Sequence, residues 1–385
     1  MQVGQECTFP VHAYDDEMTG RRVRRLGAGD YRTHHQYFYL RMWMPDSQRV
    51  LVSSNRQDGV YRHYLVDVES GHALCLSECE DLSSGFGELA HDGQHLMYVA
   101  GRQLRVRSLS DLEERTVYTQ SEPWTGRSVY YGATTDHARV VMMEMHADDV
   151  VVAKKGWEAF PKQFQARPRC RLVELDVKTS ASRVIHEDRC WLGHPNYRPY
   201  GRTVMFCHEG PWQEVASRIW FIDPDGSNLR EGRKRDPSRP IGEGTGELWG
   251  HEYWLADSSR AAFIYFPQKY GIDATIRLLD PDTLAEEILM PISSYSHFIS
   301  NADNSLIVGD GEARLSDAVY LVDVASRRES ILCRHGSTMQ PYVDPRTGGV
   351  NTQEVHPHPC FSPDSKRVVF SSDRDGFPAV YVTEV

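Results

Sequence analysis

One phrase recurs seven times along this chain: a turn containing Asp or Gly, a run of four to six apolar residues, a polar loop, and an alternating strand that ends near Asp. The spacing of 44 to 64 residues between copies fits a four-stranded β-propeller blade of about 40 to 50 residues, with insertions in the third, fourth and sixth copies. The repeat therefore predicts an all-β fold, a seven-bladed β-propeller formed as a single domain over residues 1–385, with the first 40 residues completing the last blade and closing the ring. The residues that mark the seven turns are Asp46, Asp92, Asp136, Tyr200, Asp257, Asp303 and Asp364.

The composition restricts the partners of such a propeller. The 385 residues carry 43 Lys and Arg against 54 Asp and Glu, a formal charge of -11, so the chain lacks the basic surface that nucleic acid or an anionic membrane would require. The opening residues show no basic segment followed by an apolar run, and no stretch approaches the roughly 18 apolar residues of a membrane span. Eight scattered cysteines without a CxxC pair are typical of reduced thiols. We therefore expect a cytoplasmic protein that binds neither nucleic acid nor membrane.

Histidine recurs at one position of the repeat. Because equivalent positions of a repeat occupy equivalent places in space, and the segment before each turn is the innermost strand of a blade, these imidazoles are predicted to point towards one opening of the central channel. A His-Pro or His-aromatic pair that merely suits the start of a strand would explain any one of them, but it explains four together less well. The histidines that lie six residues before a turn marker are His194, His251, His297 and His358.

The seventh copy adds a second histidine. In the segment VHPHP, His356 and His358 are two residues apart, so an extended chain, favoured by the two prolines, places both on one face. Gln353 lies three residues before His356, and His297 comes from the neighbouring blade. Three imidazoles and an amide oxygen are suitable ligands for a divalent transition metal, and Mn²⁺, Fe²⁺, Ni²⁺ and Zn²⁺ all accept imidazole.

Arginine and histidine side chains on the same face are candidates for binding an anionic substrate. Arg218, at the start of a strand in the fourth blade, is either a surface residue packed on Trp220 or a planar clamp for a carboxylate. Further candidates for substrate contacts are Arg198, as a second clamp, His194 and His208.

Other chemistry is excluded by missing motifs. The sequence has no GxSxG nucleophile elbow, no Walker loop and no dinucleotide fingerprint, and its basic run from Arg230 to Pro240 is predicted to be a solvated loop. Two alternatives stay open from the residues alone. One is a propeller that binds partners without catalysis, and the other is a metal-dependent hydrolase, which would need a carboxylate such as Glu209 or Glu252 beside an activated water.

An ordered set of motifs resembles the oligogalacturonate lyases, which are cytoplasmic seven-bladed propellers of bacterial pectin breakdown. The resemblance is strongest over residues 170–385 and extends more loosely to HHQYFY, WEAFPKQF and CRLVELDV. Such a long ordered set is far more specific than a general likeness among propellers. The motifs are WLGHPNYRP, TVMFCHEGPW, SRIWFIDPDGSNLR, GHEYW, SHFISN, LIVGDG and VHPHPCFSPDSKRVVFSSDRDG.

This resemblance implies an activity and a set of site residues. The activity is β-elimination from short galacturonides such as digalacturonate, with a divalent metal, manganese, as cofactor. His251 in GHEYW matches the general base of the family, and Arg218 matches the arginine that grips the substrate. Thr352 stands where the family has an arginine, a departure that bears on one carboxylate contact and on the preferred chain length. The implied metal ligands are His297, Gln353, His356 and His358.

The implied reaction is physically coherent. The C5 proton of a uronate is only weakly acidic while the neighbouring carboxylate is anionic, so the metal and Arg218 are expected to stabilise the enolate-like charge that develops. A neutral imidazole at His251, with an ordinary pKa of about 6.5, is expected to take the proton. The C4 oxygen then leaves and an unsaturated uronate forms.

Overall fold

The computed structural model describes residues 1–78, 82–126, 131–151, 158–236, 238, 246–267, 273–293, 295–311, 316–343, 350–351 and 354–385. In this part of the chain almost all regular structure is β-strand, and the one α-helix is α1, Ala159–Gln165. Among these same residues, no helix has the length and apolarity needed to cross a lipid bilayer.

The described strands are numbered in chain order. The first are β1 Glu6–Thr8, β2 Val11–Asp15, β3 Arg22–Leu26, β4 Thr33–His35, β5 Arg49–Ser54, β6 Arg62–Asp67, β7 His72–Cys75, β8 Leu82–Leu89, β9 His95–Ala100, β10 Gln103–Ser108 and β11 Glu114–Thr119. The next are β12 Trp124–Thr125, β13 Tyr131–Ala133, β14 Arg139–His146, β15 Cys170–Asp176, β16 Ser182–Asp188, β17 Leu192–Tyr197, β18 Val204–His208, β19 Ile219–Ile222, β20 Arg230–Glu231, β21 Leu248–Trp254, β22 Ala261–Phe266, β23 Thr275–Leu279 and β24 Glu286–Pro291. The last are β25 Tyr295–Ser300, β26 Leu306–Gly311, β27 Ala318–Asp323, β28 Arg328–Arg334, β29 Tyr342–Val343, β30 Val350–Asn351, β31 Cys360–Phe361, β32 Arg367–Ser372 and β33 Ala379–Glu384.

The repeated turn has a common geometry. In the six copies whose marker is Asp, its Oδ1 accepts a hydrogen bond of 2.8 to 3.2 Å from the amide two residues later. The residue directly after the marker adopts a left-handed backbone, with φ between 55° and 71°. An aspartate that bonds to its own backbone two residues on, followed by a left-handed residue, forms a tight turn between two antiparallel strands. The left-handed residues are Ser47, Gly93, His137, Ser258, Asn304 and Ser365.

The chain divides into two compact units, of which the first comprises residues 1–116 and 296–385. Its antiparallel sheets have the strand orders β1-β7-β6-β5-β4, β11-β10-β9-β8, β25-β26-β27-β28 and β2-β3-β33-β32-β31, with the small pair β29-β30. Strands β2 and β3 complete the last sheet, as predicted for the first 40 residues, and β1 adds a fifth strand to the first sheet. The interior of this unit is apolar and includes Phe9, Tyr64 and Val369, all fully buried.

The second unit comprises residues 117–295. Its sheets have the orders β12-β14-β15-β16, with β13 also paired to β14, then β17-β18-β19-β20 and β21-β22-β23-β24. Buried aromatic residues such as Phe221, Trp249 and Phe263 fill the space between the last two of these sheets.

Seven sheets of four or five strands thus match the seven copies of the sequence phrase. This confirms the predicted fold class, an all-β, seven-bladed β-propeller. The assignment of residues 1–385 to a single domain stays a prediction.

Two glycines in left-handed turns allow a test of how the N-terminal strand is attached. Gly71, before β7, has φ of 71°, and a Cβ added there would lie 2.0 Å from the carbonyl oxygen of Phe9. Gly20, between β2 and β3, has φ of 69° with no heavy atom within 4 Å of such a Cβ.

Gly71→Ala should therefore cost more stability than Gly20→Ala. We expect Gly20→Ala to lower the free energy of unfolding by about 1 kcal/mol, the cost of a left-handed alanine. Gly71→Ala should lower it by about 2 to 4 kcal/mol, because the backbone after β1 must also move. Urea unfolding of the full chain measures both, and equal losses would contradict the close contact between Gly71 and Phe9.

Candidate functional site

Three of the predicted metal ligands come together in the first unit. His297 lies on β25, and His356 and His358 lie just before β31. One ligand nitrogen of each lies within 4.8 Å of the others, all three side chains are buried, and the Nε2 atoms of His297 and His358 are 3.2 Å apart. The fourth predicted ligand, Gln353, lies outside the described residues, as does Thr352.

Asp310, on β26, orients this cluster and was not predicted from the sequence. Its Oδ2 accepts hydrogen bonds from Nδ1 of His297 at 3.0 Å and from the amide of His358 at 3.1 Å, while its Oδ1 accepts the amide hydrogen of His297. Burial opposes ionisation of Asp310, but His297 and these donors hold its pKa below the ordinary value. Because a carboxylate only accepts, Nδ1 of His297 carries the proton and Nε2 presents its lone pair to the cluster.

The surroundings of the cluster disfavour a positive charge on His356. Burial, with a smaller contribution from His297, lowers the pKa of His356 to about 3. The rings of Tyr37 and Phe38, from the HHQYFY segment, pack against His358 and His297 with centroids 4.7 and 5.6 Å apart, respectively. Neutral imidazole is the form that binds metal, so the lowered pKa of His356 favours that role.

Three of the four histidines at the repeated position have an unusual backbone. His194, His251 and His358 all adopt left-handed conformations, with φ of 46°, 52° and 45°. The strand register shifts at the first two, between Gly193 and Asn196 and between Gly250 and Tyr253. A β-bulge redirects a side chain. A left-handed backbone at a residue other than glycine costs about 1 to 3 kcal/mol. The structure thus maintains a strained conformation at these histidines.

Arg218 belongs to a buried charge cluster in the second unit. It is 3% exposed, and its Nη1 and Nε donate to Glu209 at 2.8 Å and to Glu252 at 3.1 Å. His194 contacts the other oxygen of Glu209 at 3.0 Å. Burial opposes the charge on Glu209, but Arg218 and His194 hold its pKa well below the ordinary value. Arg218 therefore grips two carboxylates of its own chain, a pairing that the sequence analysis did not predict.

The other candidate substrate-binding residues are distributed differently. His208 stacks on Trp220 with ring centroids 4.6 Å apart, and burial lowers its pKa to about 4. Arg198 follows the end of β17 that lies away from Glu209, and it bonds to the carbonyl of Ser258 and to Asp282. The structure therefore does not bring Arg198 into the Arg218 cluster, and its role as a second clamp stays a prediction.

His251 lies on β21 beside an aromatic residue that sequence reasoning also missed. The ring of Trp212 meets the imidazole edge to face, with centroids 4.7 Å apart and planes 74° apart. The guanidinium carbon of Arg218 lies 5.5 Å from the centre of the same indole. Trp212 thus contacts both of the predicted catalytic residues, and its place in the quoted motif CHEGPW was the only sequence signal for it.

Asp310→Asn should weaken metal binding. Asparagine has an NH₂ group in place of one carboxylate oxygen. That group donates a hydrogen bond and cannot accept one from an N–H, so the orientation of His297 is lost. We expect the affinity for Mn²⁺ to fall about 10- to 100-fold, the usual cost of removing such a partner. Titration of metal-free protein with Mn²⁺ measures the effect.

Asp323→Asn is the matched control, because it removes the same charge from an exposed turn of the same sheet. Wild-type Mn²⁺ affinity in Asp310→Asn would show that Asp310 has no part in holding the ligands.

Comparisons with known proteins identify the family of this chain. A family model described as oligogalacturonate lyase matches residues 1–385. The oligogalacturonide lyase of Pectobacterium atrosepticum and the oligogalacturonate lyase of Dickeya dadantii are each 32% identical to this chain over 400 residues, covering 100% of it and 98% of the relative.

Solved structures extend the likeness to the whole fold. An oligogalacturonate lyase in complex with manganese has a TM-score of 0.90 and 34% identity, covering 100% of this chain and 98% of its own. An oligogalacturonate lyase from Vibrio parahaemolyticus has a TM-score of 0.87 and 33% identity, covering 100% and 99%. On this full-length agreement in sequence and fold, the chain belongs to the oligogalacturonate lyase family and is an enzyme of that class.

Proposed function

We propose that this chain cleaves short oligogalacturonides, such as digalacturonate, by β-elimination, using a divalent metal held by His297, His356 and His358. The observation that carries the proposal is the buried cluster of three imidazoles, with one ligand nitrogen of each within 4.8 Å of the others. Family membership supports the substrate class and the reaction. A cytoplasmic location is part of the proposal, and the seven described cysteines, all of them free thiols, are consistent with it.

The three-histidine cluster fits a metal ion. Two imidazole nitrogens bound side by side at about 2.1 Å from an ion lie roughly 3.0 to 3.4 Å apart, which matches the 3.2 Å between His297 and His358. We assign Gln353 as the fourth ligand, and manganese as the ion because a related lyase was solved with manganese. When bound, a divalent ion acts as a Lewis acid that draws negative charge from the substrate carboxylate.

We assign proton abstraction to His251. One of its ring nitrogens takes the proton from C5 of the uronate, the electrons of that C–H bond form the C4=C5 double bond, and the C4–O bond breaks. The departing oxygen takes a proton from solvent and becomes the hydroxyl of the other product, and His251 returns the C5 proton to solvent, so the number of protons is balanced. Trp212 restricts the orientation of the imidazole during this transfer.

Arg218 is proposed to stabilise the substrate carboxylate through Nη2. Glu209 and Glu252 hold its Nη1 and Nε, and so they fix the plane of the guanidinium. A fixed donor loses little conformational freedom when charge develops on the substrate, which favours the transition state.

The products distinguish β-elimination from metal-dependent hydrolysis. Elimination of digalacturonate gives a conjugated unsaturated uronate that absorbs in the ultraviolet, and the summed mass of the products equals that of the substrate. Hydrolysis adds one water to that mass and creates no chromophore. Saturated products from the purified chain would overturn the proposal.

Metal removal should abolish the reaction. Chelation should eliminate formation of the unsaturated product, and Mn²⁺ should restore it, because the ion would supply the positive charge that this cluster offers the substrate carboxylate. His356→Ala should contain less metal, as measured by elemental analysis of dialysed protein, whereas His72→Ala, which alters an exposed histidine, should not. Full metal content in His356→Ala would refute the assignment.

His251→Ala should separate catalysis from metal binding. We expect kcat to fall by roughly 10²- to 10⁴-fold, the usual effect of losing a general base, with metal content and substrate affinity largely kept. Steady-state kinetics on digalacturonate and elemental analysis test this together. If the variant loses its metal along with its activity, His251 is a ligand and not the base.

A further inference from the structure

Part of the basic run in the second unit is not solvated, although its composition had predicted a solvated loop. Arg233 and Arg235 both lie over the ring of Trp249, with guanidinium carbons 4.4 and 4.6 Å from its centre. Lys234, between them, is exposed. Two of the basic side chains therefore fold back onto an aromatic residue of β21, and the earlier expectation was wrong for them.

Glu247, just before β21, fixes this segment. Its buried carboxylate accepts hydrogen bonds from Arg233 at 3.0 Å, from the amide of Asp236 at 2.7 Å and from the hydroxyl of Tyr265 at 2.8 Å. One carboxylate thus holds the side chain of Arg233 and the backbone amide of Asp236, which lie on either side of Arg235. The position from which the side chain of Arg235 extends is therefore fixed.

The side chain of Arg235 extends from this segment to the 211–215 turn. Its Nη2 donates to the carbonyls of Trp212 and Val215, both at 2.9 Å, and its Nη1 donates to the carbonyl of Glu247. Within the 211–215 turn, the amides of Glu214 and Val215 both bond to the carbonyl of Pro211. The carbonyl of Pro211 is therefore satisfied within the turn. Arg235 donates to two other carbonyls of the turn, those of Trp212 and Val215.

The residue held in this way is the one that packs against His251. The indole of Trp212 also lies directly on the backbone of β21, where a Cβ at Gly250 would be 2.4 Å from its Cζ2. The ring therefore occupies a space that only glycine leaves open, one residue before His251. A shift of the 211–215 turn would move the indole against both the strand and the imidazole.

We propose that Arg235 is a positioning residue that fixes Trp212 against the imidazole of His251. Arginine suits this role because its planar fork donates to three carbonyls while one face rests on Trp249. The kinetic consequence rests on the proposed role of His251 as the base, whereas the link from Arg235 through Trp212 to the imidazole does not.

The link is tested first without the reaction. The full chain is labelled with ¹⁵N and ¹³C in histidine, supplied with diamagnetic Zn²⁺ and studied by NMR. The imidazole signal of His251 is assigned as the one that is lost in His251→Ala. The nearby indole changes the chemical shift of this signal, so Arg235→Ala and Trp212→Ala should each alter that chemical shift. The double variant should match Trp212→Ala, because the proposed effect of Arg235 on His251 passes through the indole. Arg235→Lys should shift the signal less than Arg235→Ala, which keeps the test valid if the alanine variant folds poorly.

The kinetic test uses the same variants with digalacturonate. Arg235→Ala should lower kcat by about 10- to 100-fold with little change in KM or metal content, since a misplaced base loses rate and not binding. Lys234→Ala, which removes one positive charge from the same loop, is the control and should match the wild type in both measurements.

Two results would overturn the inference. One is a wild-type His251 signal in Arg235→Ala, and the other is a double variant whose shift is the sum of the two single shifts. Failure of the wild-type chain to cleave digalacturonate would refute the proposed function instead, and the His251 signals would still decide the link.

Discussion

The aspartate turn that opens the second strand of most sheets sets the register on which the rest of the molecule depends. Its side chain bonds to the amide two residues on, and the left-handed residue that follows returns the chain as an antiparallel strand. Because this turn fixes how the innermost strand pairs with the next, a residue six positions earlier occupies an equivalent place in each sheet. The histidines at that position acquire their role from the register and not from their immediate neighbours.

Local backbone conformation and neighbouring carboxylates give the histidines at this equivalent position different chemical environments. His358 is left-handed and its amide is held by Asp310, which also orients His297. His194 is left-handed too, but it contacts Glu209, whose carboxylate is already paired with Arg218. Since Glu209 is already paired with Arg218, the grouping of His194, Cys207 and Glu209 is a less suitable metal site than the three-histidine cluster.

Sequence periodicity predicted the sheets and the convergence of His297 with His356 and His358, because both follow from spacing along the chain. It did not predict Asp310, whose partners lie 13 and 48 residues away. It also treated Arg233 and Arg235 as solvated, since their aromatic partner, Trp249, lies 16 and 14 residues further along the chain. Interactions of this kind depend on which strands become neighbours in three dimensions, and no local pattern encodes them.

Electron paramagnetic resonance of bound Mn²⁺ tests the central claim most directly. With metal-free protein labelled with ¹⁵N in histidine, one equivalent of Mn²⁺ should give a spectrum with couplings to imidazole ¹⁵N nuclei, and His297→Ala should weaken or lose them. Mn²⁺ that binds without histidine couplings, or a spectrum unchanged by His297→Ala, would show that the buried histidine cluster is not the metal site.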